Sequence, residues 1–182
     1  MTLLVLDLHV PSVERIHSER DLWIAMVAIW PRLVTYLMSF MTLGIFWVGQ
    51  QTQLSFYQRV DRNYTWLQIG FLAVVAVVPF STALLSEFIT YRLALVVYWL
   101  NIFLLGAVLF VGMRYAIRAR ITKDGLTEDL KRLFAKRVLV AQALYAFGAL
   151  LCVFNTYWSI GFIILVQMNY VLAPKIPILR DV

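Results

Sequence analysis

Charge is scarce in this 182-residue chain: Asp, Glu, Lys and Arg make up 14% of it and apolar residues 62%, against about a quarter and about half in soluble globular domains. That balance excludes a water-soluble domain and points to a polytopic membrane protein. Cysteine is almost missing. Cys152 stands alone in an apolar run, which excludes an internal disulfide framework and reads as a packed core thiol. No nucleophile motif, glycine-rich phosphate loop or dinucleotide fingerprint occurs, so soluble-type enzymology is excluded and neither an enzymatic activity nor a cofactor is expected. His9 and His17 have no Cys or paired carboxylates at ligand spacing, and no metal site is expected. The net charge of +6 lacks the aromatic interleaving of a nucleic-acid surface, so no nucleic-acid partner is expected and the basic residues read as topology signals. Only Met1 precedes the opening apolar run, which therefore does not read as a secretory signal. Internal repeats, low-complexity stretches and linkers are also absent, and one transmembrane domain over 1–182 is expected.

What is present is a series of long apolar runs. Residues 31–49 read as a span with Pro31 at a favourable first-turn position. Residues 66–85 follow, with Pro79 expected to kink the helix or close it early. Residues 93–113 are fenced by Arg92 and Arg114. The charge-free run 138–173 would reach roughly 54 Å as one helix, against a hydrocarbon core of about 30 Å, so it must be a hairpin. Asn155-Thr156 is the best break, giving spans at 138–154 and 157–173. The opening run 1–10 would rise only about 15 Å before Pro11 and reads as a partial first span, as if the chain began in the middle of a membrane helix. The fold expected is all-α: a six-helix membrane subunit with an incomplete first helix. Residues 18–30 read as an interfacial helix leading into the span at 31–49. Residues 115–138 read as a short helical excursion with Gly125 as its turn and Thr127 capping a helix at 128–134.

Alternating the spans puts Arg59, Arg62, Arg114, Arg118, Arg120, Lys123, Lys131, Arg132, Lys136, Arg137, Lys175 and Arg180 on one side and Arg15, Arg20, Arg32 and Arg92 on the other. Twelve against four is a positive-inside bias that makes both termini cytoplasmic.

The spans carry almost no ionisable groups, which disfavours a charge-coupled transporter or a membrane-embedded enzyme. Their polar residues are Thr35, Ser39, Thr42, Gln68, Ser81, Thr82, Asn101, Gln142, Ser159, Gln167 and Asn169; any one of these is more often an interhelical hydrogen bond than a substrate contact. The opening run differs. Thr2, Val5 and Leu6 share one helical face. With several copies around an axis, the Thr2 hydroxyls would form a polar ring beside apolar rings from Val5 or Leu6, a filter-and-constriction arrangement. Asp7 and Glu14 fall on the outer side with Glu19, Asp21 and Glu87. They would concentrate cations at a pore mouth, although scattered loop charges read equally well.

The segment Thr2 to Pro11 (TLLVLDLHVP) resembles the end of the first helix in the transmembrane protein 175 family of potassium channels. The resemblance continues through FMTLGIFW at 40–47, Asp61 to Trp66, and PFSTALL at 79–85, and the later helices agree in number, length and a basic loop between the fourth and fifth. It implies a potassium-selective, passively conducting cation channel subunit of six helices. Its partners would be potassium ions and the lipid bilayer, its assembly a homotetramer, its location a prokaryotic plasma membrane. The first helix would line the pore, with the family's pore threonine at Thr2 and an apolar pore position one turn later at Leu6. The chain departs from the pattern in lacking the family's Arg-x-x-x-Phe-Ser-Asp signature before Thr2, in reading Gln50-Gln51 for a histidine pair, and in reading Gln68 for an asparagine. Those departures keep open a second expectation: a non-conducting, degenerate family member or an assembly partner in the membrane.

Overall fold

The computed structural model describes residues 18–123 and 128–172. Among them the chain forms five α-helices and no strand: α1 (Glu19–Ser55), α2 (Arg62–Glu87), α3 (Arg92–Arg118), α4 (Glu128–Leu150) and α5 (Thr156–Val171). The opening run, which would supply a sixth, lies outside the described residues, as do Gly125 and Thr127.

Helix α1 corrects the sequence reading most. It is one 37-residue helix, so the stretch before Pro31 runs unbroken into the span and Pro31 is interior rather than in a first turn. It begins at Ser18, whose hydroxyl accepts from the Asp21 amide at 3.1 Å, with Glu19 and Asp21 favourably placed in the positive first turn. Proline removes one backbone bond and crowds the preceding turn. Here the Thr35 hydroxyl donates back to the Pro31 and Arg32 carbonyls, at 3.1 and 3.0 Å, beside that site. The same tolerance appears in α2, which does not close at Pro79 but continues to Glu87.

Charged residues end the hydropathy of a span without ending its helix. Helix α3 therefore runs on to Arg118, and α4 starts at Glu128 and continues through to Leu150; residues 115–138 are not an independent excursion. Past α3, Arg120 adopts a left-handed φ of 53°. The Ile121 amide then donates back to the Ala116 carbonyl at 3.1 Å, and Ile121 is buried, a helix stop usually assigned to glycine. After α4, a 3-10 turn at Leu151–Val153 leads to Asn155, which caps α5 by accepting from the Tyr157 amide at 2.8 Å.

Helices α1 to α3 and the stretch Lys131–Val153 are long and apolar enough to cross a bilayer. Helix α3 is central: 44% of its most apolar stretch is buried, against 17% in α1. Its Leu95, Tyr98, Ile102 and Leu105 meet Met38, Phe71 and Ile163 in the main core. Trp23, Leu93 and Trp158 are among the large apolar side chains left on the outside, as expected where lipid rather than water is the solvent.

Polar contacts group at two levels of the bundle. At one, Arg32 pairs with Glu87 at 2.6 Å and the Arg92 guanidinium donates to the Val153 carbonyl at 2.9 Å. At the other, the loops after α1 and α3 pair through Gln58 N to Ile121 O and Lys123 N to Phe56 O, both 2.9 Å, while the Lys123 ammonium donates to the Ser55 carbonyl at the end of α1.

Candidate functional site

Thr2, Val5, Leu6, Asp7 and Glu14, the residues the sequence singles out for a pore and its outer mouth, all lie outside the described residues. What the described helices hold is a buried polar layer and a hydrogen-bonded cluster at the loop end.

The layer centres on Thr42, which is 1% exposed. Its hydroxyl donates to the Met38 carbonyl one turn back at 2.8 Å, takes the Gln167 amide at 2.6 Å and lies 3.0 Å from the Tyr98 hydroxyl. With Tyr98 donating, one proton and two lone pairs are all used, and α1, α3 and α5 are joined at one oxygen. Ser39, one turn earlier on α1, bonds to Thr82 of α2, whose hydroxyl lies 2.8 Å from the Val78 carbonyl. Asn101 of α3 reaches Ser81 of α2 at 3.0 Å. Gln142 of α4 donates to the Ile102 carbonyl at 3.4 Å, and Ser159 of α5 to the Gly148 carbonyl. Nearly every polar residue picked out within the spans thus serves helix–helix contact, because hydrocarbon offers no competing partner.

The blocks that carry the family resemblance lie within this arrangement. Thr42, Leu43 and Phe46 of FMTLGIFW are buried, as are Ser81, Thr82 and Leu85 of PFSTALL. Asp61, which opens the third block, caps α2 by accepting from the Tyr64 amide at 2.8 Å and also accepts from the Tyr115 hydroxyl at 2.5 Å. The Tyr115 hydrogen bond, then that of the Tyr64 amide, holds the Asp61 carboxyl below the usual carboxylate range. Burial pushes the neighbouring Tyr57 hydroxyl upward, with the Tyr64 ring edge-on to it at 5.0 Å.

Gln50 and Gln68, two of the positions at which the sequence departs from the pattern the resemblance implies, bond directly to each other, and Gln68 also bonds to Tyr64. The pair forms a polar bridge between α1 and α2. Sequence reasoning did not single out Gln53, one turn beyond Gln50 on the same face. Gln53 is 4% exposed and donates to the Leu109 carbonyl at 3.1 Å; the three-residue spacing from Gln50 was the available signal. Of the described carboxylates that the sequence reading puts at the outer side, Glu87 is held by Arg32 and Glu19 and Asp21 sit in the first turn of α1.

Residues 1–79 match the family model described as endosomal/lysosomal potassium channel TMEM175. A potassium channel of Streptomyces collinus is 40% identical over 89 residues, covering 49% of this chain and 42% of that protein. A potassium channel of Chamaesiphon minutus is 32% identical over 140 residues, 75% of this chain and 63% of the relative. The chain thus spans less than two thirds of the length of either. The crystal structure of a lysosomal potassium-selective channel TMEM175 homologue from Chamaesiphon minutus superposes with a TM-score of 0.70 at 26% identity, covering 94% of this chain and 88% of that one. Through the sequence of residues 1–79 and the fold of its described helices, the chain is an integral membrane protein related to the TMEM175 family.

Proposed function

We propose that the chain is a subunit of a potassium-selective cation channel that conducts passively. The observation that carries this reading is the agreement of two likenesses, one of sequence and one of fold. The family match runs through the opening run, α1 and α2 as far as residue 79, and the fold resembles a potassium-selective homologue. The helix interfaces fit as well: Thr42, Tyr98, Gln167, Asn101 and Ser81 bond across helices α1, α2, α3 and α5, which suits a scaffold around a pore built elsewhere.

In this reading residues 1–182 form a single transmembrane domain of six helices, and four copies bring their opening runs together. Thr2 supplies a ring of hydroxyls to partly dehydrated potassium, Val5 and Leu6 supply the apolar constriction, and Asp7 and Glu14 draw cations to the outer mouth. The basic ends of α3 and α4 face the cytoplasm of a prokaryotic cell, together with both termini.

The test is ion flux from purified protein in liposomes. Potassium flux exceeding sodium flux is expected, with selectivity reduced by Thr2→Val and leak increased by Leu6→Ala. A folded, correctly inserted protein that passes neither ion overturns the reading and leaves a non-conducting assembly partner in its place.

A further inference from the structure

A cavity of about 310 Å³ opens at the loop end of the bundle, between the last turns of α3 and the first turns of α4, with Gln53 of α1 also lining it. Its chemistry is divided. Phe110, Met113, Phe134 and Val138 supply apolar walls, and Arg114, Arg118, Lys131 and Arg132 supply cations; no carboxylate is among the described lining residues. We propose that this cavity binds the headgroup of an anionic phospholipid.

Two walls are held in place. The Arg114 guanidinium sits over the Phe110 ring at 5.8 Å, so its charge stays against the apolar wall. Phe134 is packed edge-on against Phe56 of the loop after α1 at 5.2 Å, which fixes the opposite side. Gln53 adds a polar acceptor. Its amide nitrogen is committed to the Leu109 carbonyl, and its side-chain oxygen is buried with no hydrogen-bond partner, a state that ordinarily calls for a ligand or water donor. A phosphate among the arginines with a headgroup hydroxyl directed at Gln53 satisfies both demands.

A lipid suits this chemistry better than a free anion. The cavity lies where two helices long enough to cross a bilayer emerge from it, and basic pockets between such helices select anionic headgroups. Val111 and Leu139, next in sequence to two wall residues, are 49% and 58% exposed and give acyl chains an apolar surface beneath the headgroup. Basic residues near spans usually serve topology alone; the recess and its apolar wall are what that role does not need. The proposal does not require the chain to conduct.

The test is lipid retention by the full chain in nanodiscs of equal parts phosphatidylcholine and phosphatidylglycerol, read by native mass spectrometry after detergent extraction. Phosphatidylglycerol should be enriched on the order of tenfold among retained lipids. The enrichment should fall to parity in Arg114→Gln/Arg118→Gln/Arg132→Gln and persist in Arg59→Gln/Arg62→Gln, which removes two charges from the same end outside the cavity. Ala135→Leu fills the cavity and keeps every charge, and it too should abolish the enrichment, so the proposal survives a failure of the triple variant to fold. Parity in the unaltered protein overturns it. Equal loss in the Arg59/Arg62 variant overturns it in favour of a general surface field, and displacement of the lipid by millimolar inorganic phosphate overturns it in favour of a soluble-anion site.

Discussion

The side chain of Asn101 on α3 is joined to the backbone of α2 immediately before Pro79. In the amide orientation that satisfies all its neighbours, its nitrogen donates to the Val74 carbonyl at 3.2 Å and its oxygen accepts from the Val78 amide at 3.1 Å and lies 3.0 Å from the Ser81 hydroxyl. Proline removes the next amide in the ladder and crowds the carbonyls before it. An interhelical side chain thus stands in where the backbone is weakened, the usual way a membrane helix accommodates proline. Asn101→Ala should lower stability by about 1–2 kcal/mol in reversible micellar unfolding. In a Pro79→Ala background, where the helix can close its own bonds, the loss should shrink. Equal losses in both backgrounds would show that the asparagine does not serve the proline.

Gly106 makes room for Gln142. A Cβ at Gly106 would lie 1.7 Å from the Gln142 amide nitrogen, so Gly106→Ala must push that amide off the Ile102 carbonyl, at a cost of about 1–3 kcal/mol. Because the clash is with the end of a flexible side chain, Gln142→Ala should recover most of the loss in the double variant. A double variant as unstable as the sum of the singles would place the clash on the backbone instead.

Acid should loosen the loop end. The carboxyl of Asp61 titrates below its ordinary value because Tyr115 and the Tyr64 amide bond to its charged form. A depressed folded pKa means that the stabilisation is complete above the unfolded value of about 4 and is lost as pH falls through the folded value. Asp61→Asn keeps an N-cap acceptor and removes the titration. Its stability should therefore be lower than that of the unaltered chain at neutral pH and should change less below about pH 4. Parallel pH profiles for the two proteins would exclude Asp61 as the source.

Arg120 pays a conformational penalty at the end of α3. A non-glycine residue at a φ of 53° is held about 1–2 kcal/mol above its preferred backbone conformation. Arg120→Gly should stabilise the chain by up to about 1 kcal/mol, since the glycine also gains freedom in the unfolded state. Arg120→Val should be worse than either. A loss on Arg120→Gly would mean that the arginine side chain makes a compensating contact.

The hairpin at Asn155 was legible because two simple facts agree there: the charge-free run is too long for one crossing, and asparagine is a good cap. The extent of the helices was not, because hydropathy records where lipid contact ends and not where the backbone ladder ends. Arg114, Arg118, Lys131 and Arg132 close the apolar stretches and yet lie inside helices. Pro31 misled for a related reason: proline is favoured in first turns, and only the Ser18-x-x-Asp21 spacing marked the real start. The interhelical role of the polar residues was also legible, from their isolation in apolar runs. Which helices they would join was not, because Thr42 and Gln167 are 125 positions apart and periodicity carries no information at that range. The basic cavity was hidden in the same way, its arginines indistinguishable in sequence from ordinary topology signals.

The saturated Thr42 hydroxyl constrains how the sequence can drift. Tyr98 and Gln167 share that oxygen, so losing it removes a common partner of two other helices inside the apolar core and leaves Ser39, Tyr98 and Gln167 to satisfy one another. Related chains are therefore expected to change these three positions in a linked way: a serine is admissible at 42 alone, whereas an alanine or valine there favours matching losses of polarity at 98 and 167. Such linked change across distant stretches of sequence would leave a covariation signature among relatives too divergent for simple identity to relate.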